Sequence, residues 1–215
     1  MKTLTFDGRS PMQKQGMLSQ LVIPRPIAMV TTIDPDGRLN VAPFSYFMPV
    51  CGEPPLIALT IGTRREAEPE RKDTWRNIQD CDGEFVINVT TDALAEHIET
   101  AAREYPYGTS ELEITGWQTM PSQMVRPPSL QESPAHMECV VREVLTRGDV
   151  TMVASGVHLV LAEVQCITAD ESILTDDDHV DPTKIRAVGR MGFPWFVQTG
   201  PESNFTQERV AYADL

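Results

Sequence analysis

Four histidines, His97, His136, His158 and His179, are the imidazoles this 215-residue chain could use for acid–base or metal chemistry. None has a second histidine at i+4, and none stands beside a serine or cysteine in a nucleophile signature such as GxSxG. His97 lies in the helix-like AEHIET and His158 in a strand-like run, where a solvated or core-satisfied ring is the expected state. The acidic stretch DDDHVD, Asp176 to Asp181, lacks the glycine and distal glutamate of a calcium loop and reads as a solvated turn. Cys51, Cys81, Cys139 and Cys166 are widely separated, contain no CxxC, and read as reduced core thiols. With GxxxxGK(S/T) and GxGxxG also absent, any chemistry must come from a bound cofactor or not occur at all. A cofactor brings its own reactive atom and asks the protein for a shaped, partly apolar pocket with a few polar groups, so no catalytic acid or base is named.

Two stretches could build such a pocket. Residues 64 to 76, RREAEPERKDTWR, hold five of the 18 basic residues (Arg64, Arg65, Arg71, Lys72, Arg76) and four of the 31 acids. The segment runs into a helix whose start carries Lys72 and Thr74, and free N–H groups with a favourable dipole suit a phosphate there. A charged, exposed loop of mixed sign is the other reading, and spacing alone leaves both open. The second stretch is GRLNVAPFS, residues 37 to 45. Its small residues would let a flat ring approach the backbone, and Pro43 breaks a ladder, which could free neighbouring N–H groups for a ligand. A plain bulge on an edge strand is the alternative.

The charge of the whole chain limits its partners. A formal net charge of −13 argues against nucleic acid, whose phosphates require cations. No apolar run approaches the roughly 18 residues of a membrane span, and the opening MKTLTFDGRS has no apolar signal region. A cytoplasmic protein without a membrane segment is expected, folded as one domain over residues 1 to 215.

The elements that must position these residues are mostly strands. Runs from Ile27 to Ile33, Leu56 to Ile61, Glu84 to Val89, His136 to Val144 and Val157 to Cys166 are rich in β-branched residues and bounded by Gly, Pro and Asp. Two helices are expected: Thr74 to Gln79 behind an Asp73 cap, and Asp92 to Arg103 behind Thr91. Strands do not alternate with long helices, so the pattern predicts an antiparallel barrel or sandwich with peripheral helices. Residues 108 to 134 change to Pro, Ser and Thr with scattered apolar residues, as a lid, a dimer arm or an irregular excursion would. A polar tail follows Phe205.

The ordered set RPIAMVTTIDPDGRLNVAPFSYF, EPPLIALTIG, KDTWRNI and GEFVINV, continued by YPYGTSELE, ESPAHMEC, VHLVLAEV and VDPTKIRAVGRMG, resembles the flavin reductase-like FMN-binding family. The resemblance is nearest to the branch of flavoredoxins and flavin reductase components of two-component monooxygenases, and it covers roughly residues 20 to 195. It implies a mainly β fold, a Greek-key antiparallel FMN-binding split β-barrel with peripheral helices, working as a homodimer with one FMN per subunit. It also implies that Thr31 and Thr32 line the flavin and that Asn40, Ala42, Pro43, Phe44 and Ser45 surround its ring and ribityl chain. Backbone N–H groups of that segment would face the ring edge. Gly62, Arg64, Lys72 and Thr74 would hold the phosphate. VGRMGFPWF departs from the family's usual Arg-Gly-Gly-Tyr ending, although Arg190 could still approach the flavin or nicotinamide side.

The resulting expectation is a flavin oxidoreductase passing hydride from NAD(P)H to FMN. The electrons would go on to a small-molecule or protein acceptor such as a monooxygenase component. His158 is a candidate contact for the pyridine nucleotide or substrate. An FMN-binding electron carrier without its own NAD(P)H activity is the alternative, and a barrel with another cofactor or none is a third.

Overall fold

The computed structural model describes residues 1–63 and 72–207. The N-terminal part comprises α1 (Pro11–Leu21), β1 (Arg25–Pro26), β2 (Ala28–Ile33), β3 (Leu39–Phe44), β4 (Phe47–Gly52) and β5 (Pro55–Gly62). The middle comprises α2 (Asp73–Asp80), β6 (Glu84–Val89), α3 (Asp92–Ala95), α4 (Ile98–Ala101), α5 (Glu111–Thr115), β7 (Thr119–Met120) and β8 (Ser129–Leu130). The last part comprises β9 (Ala135–Gly148), β10 (Gly156–Ala169), a 3-10 turn, β11 (Val188–Gly192) and β12 (Trp195–Gln198). None of the described helices is long and apolar enough to cross a membrane.

One sheet dominates, in the order β3-β2-β6-β9-β10-β5-β4, and every pairing within it is antiparallel. Its spine is the hairpin of β9 and β10, 14 residues each, whose register shifts near Leu161 and Val164. Such shifts bend and twist strands. Bending lets β9 pair with β6 near one end while β10 pairs with β5 nearer the other, and the sheet curls into a barrel.

At the centre of this sheet, in β2 and β6, both faces are covered, and side chains on both faces are buried. Ala28, Val30, Leu59, Ile61, Phe85, Ile87 and Val160 point into the barrel, which Trp75 and Ile78 of α2 close at one end. Met29 and Val41 point outward under Leu94, Ile98, Ala101, Trp117 and Leu130. The run from Ala28 to Thr32 is therefore fully buried without a break.

Several expectations are corrected. The expected helix from Asp92 to Arg103 is interrupted at His97, whose φ of −107° and ψ of 8° lie off the helix; its N–H turns back to Leu94 O at 3.3 Å. Leu94, Ile98 and Ala101 still reach one core, which is why the apolar spacing looked continuous. Asp73 is the first helical residue of α2 and Lys72 is its cap, with no side-chain cap bond. Cys81 and Cys139 are buried thiols and Cys166 is partly buried, but Cys51 is exposed beside the β4–β5 turn. Burial pushes the Cys139 thiol far above its ordinary range, so it is no nucleophile.

Residues 108 to 134 form an excursion fastened to the barrel. The fully buried carboxylate of Glu138 on β9 accepts the N–H groups of Gln123 at 2.8 Å, Met124 at 2.6 Å and Val125 at 3.2 Å. Thr31 Oγ1 donates to Pro128 O at 2.7 Å, and Asn88 Oδ1 accepts from Leu130 N at 2.7 Å. His136 is buried, with Nε2 2.8 Å from Leu130 O and Nδ1 3.0 Å from Thr168 Oγ1, so its ring is structural.

At the other end of β2, Asp34 closes the hairpin to β3. Its Oδ1 accepts from Asp36 N and Arg38 N, and its Oδ2 from Arg38 Nε at 2.7 Å. Burial pushes the Asp34 pKa up, but the Arg38 and backbone donors outweigh it, and the net shift is downward.

Two predictions follow from these carboxylates. Glu138→Gln, which loses the charge and points an amide at N–H donors, lowers stability by about 2–3 kcal/mol, read as a denaturant midpoint; an unchanged midpoint refutes the anchoring role. Asp34 has its folded pKa below the unfolded one, so its contribution is present above the usual carboxylate range and fades as pH falls through the folded pKa. Asp34→Asn is thus less stable than wild type at neutral pH, and the gap narrows in acid; a gap independent of pH contradicts this.

Candidate functional site

A cleft of about 950 Å³ runs along the free edge of β3, where the barrel fails to close against β5. Its floor includes Asn40, Ala42, Pro43, Phe44 and Ser45, and its far wall Thr60, Gly62, Gly156 and Val157.

The edge explains Pro43. Strand β3 pairs with β2 without a bulge from Leu39↔Ile33 to Phe44↔Ala28, and Pro43 lies opposite Met29 within that run. The expected break is absent because successive residues on a strand alternate their N–H direction. Val41 and Pro43 share the parity facing away from β2; a proline there removes no ladder bond. Nor are the neighbouring amides freed for a ligand: Ala42 and Phe44 face β2 by the same alternation, and Val41 N–H donates to Glu111 Oε2 at 2.8 Å. Ser45, one residue past the strand, has the cleft-facing parity.

Glu111, at the start of α5, is 4% exposed and lines the cleft. The sequence reading missed it. Its signal was SELEI inside the long polar stretch, and only the fold sets that stretch against the β3 edge.

The start of α2 forms one end of the cleft, where Lys72, Asp73 and Thr74 all line it. Asn40 Nδ2 donates to Thr74 Oγ1 at 2.9 Å and lies 3.3 Å from Thr32 Oγ1, which also accepts from Asn77 Nδ2 at 3.1 Å. This buried net fixes the first turn of α2 to the start of β3 and leaves the Thr74 hydroxyl hydrogen to donate elsewhere. The Lys72 ammonium stands 5.9 Å from the Phe44 ring centroid, so it reaches along the floor. Gly62 lines the same cleft, and a Cβ there would meet no atom of the described residues within 4 Å.

The opposite wall is made by α1 and the β1–β11 ribbon. Helix α1 carries a capping box, with Gln13 N donating to Ser10 Oγ at 3.3 Å and Ser10 N to Gln13 Oε1 at 2.9 Å. It buries none of its residues, which is why no apolar period announced it. Arg25 fastens its C-terminal end, donating through Nη1 to Ser19 O and to Val22 O, the latter at 3.0 Å, and through Nε to Ser45 Oγ at 3.3 Å. Among the described lining residues, Arg25, Lys72, Arg103 and Arg190 balance Asp73, Glu99, Glu104 and Glu111. A chain of net −13 thus has a cleft wall near neutrality, the local exception an anionic ligand requires.

The fold therefore gathers Asn40, Ala42, Pro43, Phe44, Ser45, Gly62, Lys72 and Thr74 on one cleft. Thr31 and Thr32 are fully buried behind the floor, with their hydroxyls engaged in the bonds above, so they support the wall without forming it. His158 follows the lining residue Val157 on β10, but its ring stacks on Trp75, with centroids 4.2 Å apart, and sits 3.0 Å from Thr146 Oγ1, so it is not itself among the lining residues. Arg64, together with Arg65 and Arg71, lies outside the described residues.

Comparison with known proteins follows the same outline. The model of the flavin reductase like domain matches residues 19–175. An uncharacterized protein of Halalkalibacterium halodurans, BH2278, is 35% identical over 188 residues, covering 87% of this chain and 88% of its own. Nitrilotriacetate monooxygenase component B from Bacillus cereus superposes with a TM-score of 0.85 at 26% identity, over 95% of this chain and 98% of that one. The 2-nitrobenzoate 2-nitroreductase NbaA of Pseudomonas fluorescens gives 0.82 at 24% identity, over 98% of this chain and 97% of that one, a likeness of fold. Matched over most of its length and built on the same split barrel, this chain belongs to the flavin reductase-like family.

Proposed function

We propose that this protein is an NAD(P)H-dependent flavin oxidoreductase that holds FMN in the cleft along β3. The observation that carries the reading is the joining, in one open cleft, of a helix N-terminus bearing Lys72 and Thr74 to a strand edge floored by small residues. The residues present fit the cofactor. The first-turn N–H groups of α2, the Thr74 hydroxyl and the Lys72 ammonium are phosphate donors. Among the described residues nothing stands within 4 Å of a Cβ at Gly62, and that space suits a ligand.

Bound FMN supplies a two-electron centre that takes hydride from NAD(P)H and yields the electrons to an acceptor. The chain's own part is binding and orientation. Ala42 and Pro43 leave room above the β3 edge, and Glu111 holds Val41 so that this edge stays fixed. Phe44 and Tyr46 give the floor an apolar lining that limits water.

The same proposal has the chain work as a homodimer. Its support is the exposed apolar surface next to the cleft: Phe193 is 80%, Trp195 72% and Leu21 82% exposed, and α1 buries nothing.

Anaerobic addition of NADH or NADPH to the FMN-loaded protein should bleach the flavin absorbance rapidly. Persistent yellow colour would favour the electron-carrier reading, and failure to take up FMN would remove both. Lys72→Ala with Thr74→Ala weakens FMN binding by about tenfold or more, measured by fluorescence titration; unchanged affinity refutes the phosphate assignment. Gly62→Val leaves thermal stability equal or raised, because a strand glycine costs roughly 0.5–1 kcal/mol and the new Cβ has no atom of the described residues within 4 Å, yet it lowers FMN affinity. Equal affinity there means that no ligand lies beside residue 62.

A further inference from the structure

Arg25 and Arg190 are direct cross-strand partners of β1 and β11, so their side chains leave the ribbon on one face, and both line the cleft. Like charges in that relation repel. Arg25 is only 7% exposed, and its Nη2 has no hydrogen-bond partner among the described residues. Arg190 donates through Nη1 to Glu99, while its Nε and Nη2 have no hydrogen-bond partner among the described residues. Burial lowers the Arg25 pKa from its ordinary value; Tyr46 acts against this and Arg190 adds to it. The two cations therefore feel one another, with Glu99 as the one carboxylate bonded to the pair among the described residues.

The pair lies at a distinct place from the start of α2. Arg25 is bonded to Ser45, whereas Thr74 is bonded to Asn40, and five residues of extended chain span about 16 Å. Lys72 covers part of that distance, its ammonium being near the Phe44 ring. Aromatic rings border the pair: Arg25 lies 5.5 Å from the Tyr46 centroid, and Arg190 lies 4.5 Å from Phe196 and 5.9 Å from Phe193.

We infer that Arg25 and Arg190 clamp an anionic group, a carboxylate or phosphate, on a planar molecule that enters the cleft beside the flavin. The inference rests on the flavin reading and adds the chemistry of the second ligand. Guanidinium forks match carboxylate and phosphate oxygens, and an anion between two facing cations relieves their repulsion. The anion is carried either by an aromatic acid serving as acceptor or by the pyridine nucleotide's phosphates.

Calorimetric titration of the FMN-loaded protein with benzoate, with its neutral isostere benzamide and with ADP-ribose tests the clamp. Wild type binds at least one of the two anions more tightly than benzamide. Arg190→Met weakens that anion about tenfold or more while FMN and benzamide affinities hold, and Arg190→Lys recovers part of the loss. Glu99→Gln, at a side chain 53% exposed, releases a donor of Arg190 and tightens the anion, and this variant decides the matter should Arg190→Met misfold. A response to benzoate alone assigns the clamp to the acceptor, and a response to ADP-ribose alone assigns it to the nucleotide. Anion binding that is absent in wild type, or equal in wild type and both variants, overturns the inference. A protein that takes no FMN defeats the flavin reading instead, and the same titrations without flavin still decide the clamp.

Discussion

An antiparallel sheet that curls without closing must leave a strand edge exposed, and the organisation of this molecule follows from which strand that is. An unpaired edge presents backbone donors that water, a ligand or another chain will use. Here the edge is β3, and its outward positions are handled one by one: Val41 gives its N–H to Glu111, and Pro43 has none to give. The edge is thereby blunted against strand pairing while the space beside it stays open. A cleft along such an edge is lined by backbone and small side chains, a surface on which a flat ligand can lie.

The surrounding elements hold that edge in place from both faces. Inside the barrel, the Asn40, Thr74, Thr32 and Asn77 net ties the first turn of α2 to β3, so a helix N-terminus points at the cleft. Outside, the excursion from 108 to 134 brings Glu111 to Val41 and is itself fastened by the buried carboxylate of Glu138. Each buried carboxylate is met by N–H donors, the condition under which a charge can be buried without heavy cost. On the third side Arg25 does two tasks, holding the end of α1 and closing on Ser45.

Much of this was legible in the chain before folding. The apolar runs of β2, β5 and β6 stand out because they are largely buried, β9 and β10 stand out by their β-branched residues, and the floor residues among Asn40 to Ser45 follow from the ordered motifs. Helix α1 was not legible, because it buries no face and so has no period; only its SPMQ capping box marks it. Glu111, Arg25 and the partnership of Arg25 with Arg190 were likewise hidden. They depend on contacts across 70, 20 and 165 residues of sequence, which local pattern does not encode. Pro43 was legible as an edge marker but not as a regular strand residue, since the direction of its missing N–H depends on register with β2.

Sequence by itself determined the class of the molecule: an antiparallel β protein without an internal nucleophile or metal signature, with most of its candidate binding residues in the segments 37 to 45 and 64 to 76. It did so because burial and turn chemistry are local demands on residue type. Tertiary structure decided which of those residues share a surface. Thr31 and Thr32 went behind the floor because the alternation of β2 turns them into its two covered faces, and His158 went to a stack on Trp75. Glu111, Arg25 and Arg190 came to the cleft because the sheet's curl and the β1–β11 ribbon bring distant chain together, a matter of register and closure that no single segment contains.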